Sequence, residues 1–322
     1  MSKQQKPLLE VEDLKMYFPV KSEGILEKKK FVKAVDGVNF SIYEGETLGL
    51  VGESGCGKST TGKLLVKLLN PTEGEVRYNG ENIVAMSKRQ FKKFRKDIQM
   101  IFQDPYSSLD PRQTVGKTIG EPLKANKVPV NVKETVVRLM EEVGLREDFY
   151  SRYPHEFSGG QRQRVGVARA LALNPKLIIC DEPVSALDVS IQAQILNMMD
   201  ELQGKFELTY LFISHDLAVV KHICDRIAVM YLGRIVELTD TKRLFENPLH
   251  PYTEALLKSI PVADPEKRQE QGVLKGDVPS PINLPEGCRF HTRCDRCMPI
   301  CKEVNPEYKE ISEGHFVECH LY

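Results

Sequence analysis

Tryptophan is absent from the 322 residues, and no apolar run approaches the roughly 18 residues that a membrane-spanning helix requires. Charge of either sign is not in excess. Lys plus Arg is 45 and Asp plus Glu is 45, so the net charge is zero. That balance excludes a generally basic nucleic-acid binder and an acidic tail protein. Residues 1–7 carry no apolar core of a signal peptide, so the chain is expected in the cytoplasm. Internal repeats and sustained heptads are also missing. What remains is ordinary globular composition, 41% hydrophobic and 28% charged, in a chain long enough for one large domain with an appendage, or two domains.

The eight cysteines are unevenly spread. Cys56, Cys180 and Cys224 are scattered, while Cys288, Cys294, Cys297, Cys301 and Cys319 crowd the end. In a reducing compartment such a cluster reads as metal ligation before disulfides. Residues 261–287 are proline-rich with little periodicity and read as a linker. A Cys-rich cap over 288–322 follows.

Residues 8–18 partly alternate and read as an edge-type strand. Residues 34–51 read as two strands around Glu44-Gly45-Glu46. Leu64, Leu65, Leu68 and Leu69 share one face at helical spacing, in a helix expected to stop at Asn70-Pro71. The basic run over 87–96 reads as a solvated helix face. Residues 131–174 read as mostly helical. The short apolar runs 177–180 and 210–213 suit buried strands of a parallel sheet, and the helical patterns between them imply an α/β core.

Gly52-Glu53-Ser54-Gly55-Cys56-Gly57-Lys58-Ser59 fits the spacing G-x-x-x-x-G-K-[ST], after an apolar strand and before a helix. Glycines let the backbone wrap phosphates with its N–H groups inward, and the helix N-terminus adds positive dipole. Lys58 is expected to reach the β- and γ-phosphates of a nucleotide and Ser59 to ligate Mg²⁺. A second acid site follows at Asp181-Glu182, where an apolar strand ends in two carboxylates. Ligands of open α/β sheets sit at that end of strands. Asp181 is placed to support Mg²⁺ and Glu182 to orient, or take a proton from, attacking water. His215 ends the next apolar strand, and by the same rule faces the nucleotide.

Ser158-Gly159-Gly160-Gln161-Arg162 is similar to the signature of ATP-binding cassette (ABC) ATPases. The order of phosphate loop, Gln103, signature, Asp181-Glu182, Ser185-Ala186-Leu187-Asp188 and His215 resembles that family over residues 8–260. The resemblance implies an α/β P-loop NTPase core with an antiparallel β subdomain, a helical signature subdomain over about 104–170, and a Cys-rich C-terminal extension. It places nucleotide contacts along the phosphate loop through Thr60. Phe18 looks like the aromatic that stacks on adenine, with Tyr17 as the alternative. Gln103 looks like the glutamine that touches Mg²⁺ and water and relays closure to membrane partners. Ser158, Gly159, Gly160 and the neighbouring Gln161 would meet ATP bound on an opposite protomer. Asp188 would lie at the dimer seam, and His215 would sense the γ-phosphate.

Within the family, Gln103-Asp104-Pro105-Tyr106-Ser107-Ser108-Leu109-Asp110-Pro111, His250-Pro251-Tyr252-Thr253 and Gly287-Cys288-Arg289-Phe290-His291 are similar to importers of di- and oligopeptides and of nickel. The inserted loop at 21–30 resembles one of the two paired ATPase chains of such importers. The resemblance implies a nucleotide-binding domain over 1–260 and a separate extension over 261–322. It implies two transmembrane channel subunits and a second ATPase chain, or a second copy, as partners at the cytoplasmic face of the membrane. An extracytoplasmic peptide-binding protein would act indirectly, and no nucleic acid is implied. Cys288, Cys294, Cys301 and Cys319, spaced C-x₅-C-x₆-C-x₁₇-C, resemble a [4Fe–4S] site of this subfamily. Cys297 departs from that spacing, and Cys294-x₂-Cys297-x₃-Cys301 with His291, His315 and His320 leaves zinc as an alternative. The extension lies outside the cassette motifs, so loss of its metal is not expected to abolish ATP binding at Lys58. A soluble cassette ATPase of DNA repair or translation is the rival class. The former carries a long coiled coil between phosphate loop and signature, and the 98 residues between Ser59 and Ser158 show no heptads.

Overall fold

The computed structural model describes residues 6–20, 29–104, 106, 108–260 and 276–322. Most of the inserted loop and the first part of the linker, residues 21–28 and 261–275, lie outside the described residues, as do Pro105 and Ser107. In chain order the strands and helices are β1 (Pro7–Pro19), β2 (Phe31–Tyr43), β3 (Thr47–Val51), α1 (Lys58–Leu65), β4 (Glu73–Tyr78), β5 (Glu81–Asn82), α2 (Lys88–Phe91) and β6 (Ile98–Ile101). They continue with α3 (Val115–Ala125), α4 (Val132–Glu142), α5 (Gly159–Leu171), β7 (Leu177–Asp181), α6 (Val189–Phe206), β8 (Thr209–Ser214) and α7 (Leu217–Ile223). The last are β9 (Arg226–Tyr231), β10 (Arg234–Asp240), α8 (Thr241–Glu246), α9 (Pro251–Lys258), β11 (Tyr308–Ser312) and β12 (His315–Glu318).

Two compact units are formed. The first is built from Ile42–Thr47 and Met86–Ile213. Its strands run parallel in the order β8-β7-β6, with Ile98 opposite Leu177 and Asp181 opposite Ile213. Every residue of β7 and β8 is buried, as strands covered on both faces require. Helices α3 to α6 belong to this unit, and α4 and α5 fall within the stretch 131–174 that reads as mostly helical.

The second unit contains Pro7–Ser41, Leu48–Ala85 and Ser214–Tyr322. One sheet, ordered β2-β1-β4-β5, pairs β1 with β4 and β4 with β5 antiparallel. In the other, β3 lies parallel to β9, and β9, β10, β12 and β11 follow antiparallel. The C-terminal extension therefore supplies a hairpin that extends this second sheet. Sequence reading treats that stretch as a loop-rich cap and misses the hairpin, because β11 is largely exposed and shows no apolar alternation.

Two helix expectations are corrected. Helix α1 ends at Leu65, and Leu68 is exposed. Lys67 turns left-handed (φ 53°), and its ammonium donates to the carbonyls of Ile83 and Val84 at 2.8 and 2.9 Å. That tether, with Leu68 N–H on Lys63 O at 2.9 Å, closes the helix before the leucine stripe is complete. The basic run holds only the four-residue α2, opened by a Ser87–Gln90 capping box, followed by turns. Its lysines and arginines are exposed, as read. Among the described residues no helix is long and apolar enough to cross a membrane.

Candidate nucleotide site

The phosphate loop lies in the second unit, between the fully buried β3 and α1. Gly52 (φ 152°) and Gly57 (φ 112°) have no room for a side chain: a Cβ would come within 2.1 Å of Met230 O and 2.0 Å of Ala34 O respectively. Only glycine fits such close backbone approach combined with positive φ. Cys56 is buried, and burial above all pushes its thiol upward, so it is a neutral packing group. Its carbonyl accepts from Gly233 N–H at 2.8 Å. Ser54 and Gly55 are exposed; Ser59 and Thr60 are half-buried on the first turn of α1. Lys58 is 4% exposed, and its ammonium folds back to donate to Gly52 O (2.8 Å) and Glu53 O (3.0 Å). Those are the bonds a bound phosphate would replace.

Tyr17 and Phe18 sit at the end of β1 in the same unit, both half-buried. The Tyr17 hydroxyl donates to Asp36, and Lys33 lies 5.4 Å from the centre of its ring. Burial, reinforced by Asp36, holds that phenol protonated. His215 is exposed just past β8.

The acid pair, Gln103 and the signature lie in the first unit. Asp181 closes β7 and is 3% exposed. Glu182 takes φ 46° and is held there by its N–H on Ile213 O at 3.0 Å. Gln103 Nε2 donates to Glu182 Oε2 at 2.9 Å, so the structure joins two residues that sequence placed 79 positions apart. Ser158 caps α5: its hydroxyl accepts from Gln161 N–H at 3.3 Å, and the Gln161 side chain accepts from Ser158 N–H at 3.0 Å. The helix N-terminus behind Ser158 and Gly159 thus stays exposed, as an anion site needs. Gly160 is buried against α6, where a Cβ would meet Ile191 Cγ2 at 2.5 Å. Asp188 precedes α6 on an exposed segment.

In the extension, the Cys288, Cys294 and Cys319 thiols are pushed upward chiefly by burial, Cys288 to about 12. Each also feels the charge of Cys301, Cys288 feels that of all three others, and Cys294 feels Cys297 ahead of Cys301. Among the described residues no three His, Cys, Asp or Glu side chains come close enough together to hold one metal ion. The three candidate histidines have other work. His315 Nε2 meets Glu237 at 2.8 Å, His291 Nδ1 meets Cys288 O at 2.9 Å, and His320 Nε2 meets Val304 O at 2.8 Å.

Residues 35–185 match the ABC transporter family, and residues 236–301 match the C-terminal region of oligopeptide/dipeptide transporters. An oligopeptide transport ATP-binding protein, AppF of Bacillus subtilis, is 57% identical over 99% of this chain and 98% of its own. The chain belongs to the ABC transporter family. Within it, OppF of Escherichia coli, also an oligopeptide transport ATP-binding protein, is 51% identical over 98% of this chain and 96% of its own. The dipeptide transport ATP-binding protein DppF of Haemophilus influenzae is 49% identical over 98% and 97%. Among solved structures, the ATP-binding cassette MJ0796, a dimer in a post-hydrolysis state with ADP and phosphate, superposes with a TM-score of 0.65 at 28% identity. It covers 72% of this chain and 98% of that one. The P-loop ABC ATPase fold expected from the motifs is thereby confirmed.

Proposed function

We propose that this chain hydrolyses ATP to energise import of di- or oligopeptides, as one of two cassettes at the cytoplasmic face of a membrane transporter. The observation that carries the reading is full-length similarity to peptide-transport ATP-binding relatives, joined to intact phosphate-loop and acid-pair chemistry. Nickel as cargo has no comparable support. The transmembrane channel subunits, the sister ATPase and an extracytoplasmic peptide-binding protein are the partners this reading requires. The division we favour is a nucleotide-binding domain over 1–260 and an extension over 261–322.

Each residue's task follows from its chemistry. Lys58 leaves its carbonyls for the β- and γ-phosphates, and the loop N–H groups take the remaining oxygens. Phe18, rather than the tethered Tyr17, is left to stack on adenine. Glu182 accepts a proton from water as that water's oxygen bonds to the γ-phosphorus. The bond from that phosphorus to the bridging oxygen breaks, and ADP carries away the electron pair. Gln103 holds Glu182 in register, and His215 donates toward the γ-phosphate. Ser158, Gly159, Gly160 and Gln161 serve the nucleotide of an opposing cassette, with Asp188 at the seam. Ser59, Gln103 and Asp181 offer hard oxygen donors of the kind Mg²⁺ takes. Mg²⁺ would offset charge on the phosphates.

The four thiols of Cys288, Cys294, Cys301 and Cys319 are assigned to a [4Fe–4S] cluster. Four cysteine thiolates are the ligand count that such a cluster takes, at the spacing that resembles the peptide-importer pattern, and Cys297 falls outside that spacing.

Co-expression with channel subunits and the sister ATPase should raise ATP turnover well above that of the isolated chain, which should be slow and mostly monomeric. A fast, stable homodimer without membrane partners would instead support a soluble cassette ATPase.

A further inference from the structure

The C-terminal extension reaches the phosphate loop. Arg293 lies between Cys288 and Cys294 in the sequence, on the short turn His291–Arg293. Its side chain is 4% exposed. Nη1 donates to Glu53 Oε2 at 2.7 Å and Nη2 donates to Glu53 Oε1 at 3.1 Å, a two-point fork across 240 residues of chain. The rings of Tyr231 and Phe290 lie 5.9 and 6.0 Å from the guanidinium, and the Tyr231 hydroxyl accepts a further bond from it at 3.4 Å.

Glu53 is the second residue of the loop, and each of its polar groups is engaged. Its N–H donates to the hydroxyl of the fully buried Tyr252 at 2.9 Å. Its carbonyl accepts from Lys58, and its carboxylate takes Arg293. A second arginine of the extension works nearby. Arg289 donates to Asp36 and to Leu232 O. The adjoining Gly233 N–H holds Cys56 O at 2.8 Å, and Asp36 receives the Tyr17 hydroxyl.

A carboxylate in a loop that gathers phosphates is an electrostatic liability unless it is neutralised. Arginine does this better than lysine here, because its planar fork matches both oxygens at once and fixes the carboxylate's direction. We propose that Arg293 is a positioning residue for nucleotide binding: it neutralises and orients Glu53, so the loop's affinity for ATP depends on the C-terminal extension. The inference deepens the assignment of Gly52–Ser59 as the ATP site and rests on it.

The test is nucleotide affinity of the full-length chain, read by displacement of a fluorescent ATP analogue with ATP and with ADP. Arg293→Met should weaken ATP binding roughly tenfold, as expected when one partner of a buried charge pair is removed. The loss should be larger for ATP than for ADP, since the unpaired carboxylate repels the more highly charged ligand more. In a Glu53→Gln background the same change should cost less than about twofold, because no charge is left unpaired. Undiminished ATP affinity in Arg293→Met would overturn the proposal. So would an equal loss in the Glu53→Gln background, which would mark a packing role alone. If Arg293→Met does not fold, Arg293→Lys replaces it; keeping the charge without the fork should weaken ATP about threefold, and wild-type affinity would overturn the proposal. Lys58→Ala in the same assay tests the loop itself: ATP binding retained there would overturn the site assignment, independently of Arg293.

Discussion

Gln103 and Glu182 share a hydrogen bond, Nε2 to Oε2, at 2.9 Å. The glutamine follows β6 and the glutamate follows β7, neighbouring parallel strands that bring both to one edge. Glu182 occupies a left-handed conformation that a glutamate adopts only when the surroundings impose it, here through its N–H on Ile213 O. A carboxylate fixed at both backbone and side chain has little freedom left to turn away from a reacting water.

Glu182→Gln should therefore leave ATP binding near wild type and lower hydrolysis by about 10²–10⁴-fold. The amide keeps the size and the contact with Gln103 but cannot accept the proton. Single-turnover hydrolysis of radiolabelled ATP measures the chemistry, and sedimentation with ATP measures any accumulated dimer. Hydrolysis at the wild-type rate would remove Glu182 from this role.

Gly160 sets how closely α5 approaches α6. Substitution by Val places branched carbons where even a Cβ lies 2.5 Å from Ile191 Cγ2. The expected cost is about 1–3 kcal/mol of stability from overpacking, with α5 displaced from its seat. Thermal melting should show the loss. ATP binding to an isolated chain should be spared, because the phosphate loop belongs to the other compact unit. Hydrolysis that needs two cassettes should fall.

Much of this was legible in the sequence because its chemistry depends on local spacing. The phosphate loop, Asp181-Glu182 and the Ser158–Arg162 signature are each contained in a few residues, and apolar strands announce the first two. What escaped depends on distance or on a single tether. The end of α1 is decided by Lys67 reaching two carbonyls beyond it, which no leucine pattern reveals. The extension's hairpin gains its place by pairing β12 with β10, not through its own hydrophobicity. Arg293 carries no local signal at all; its partner lies 240 residues earlier.

Stability should fall between pH 7 and pH 5 in a way that traces to His250. Burial lowers this imidazole to about 4, against an opposing pull from Glu237. Its Nδ1 accepts from Tyr252 N–H at 3.0 Å, a role only the unprotonated ring nitrogen can fill. Above about 6.5 the ring is neutral folded or unfolded, and there is no penalty. As pH falls from there toward 4, the unfolded chain takes up a proton that the folded chain refuses, so stability is lost by up to about 3 kcal/mol. The loss levels off below the folded value. Chemical denaturation at pH 7.5 and 5 should show a smaller difference in His250→Asn, since Asn can cap α9 without titrating. An unchanged difference would exclude His250 as the source.

The extension should carry about four irons per chain when the protein is prepared without oxygen, with broad absorption near about 400 nm. Cys288, Cys294, Cys301 and Cys319 sense one another's charge, and burial keeps three of the thiols neutral without metal, so cluster assembly must displace their protons. Cys297 lies beside Cys294, but its thiol points a weak hydrogen bond at Met298 O. Cys297→Ser should therefore keep both iron and colour. Cys294→Ser should lose both and make residues 288–322 more open to protease, because a bound cluster would add to the order that β12 and the two arginines already give the segment. Iron content, absorption and limited proteolysis read these outcomes separately from ATPase activity. One zinc per chain in anaerobic protein, without iron and with Cys297 required for it, would reverse the assignment.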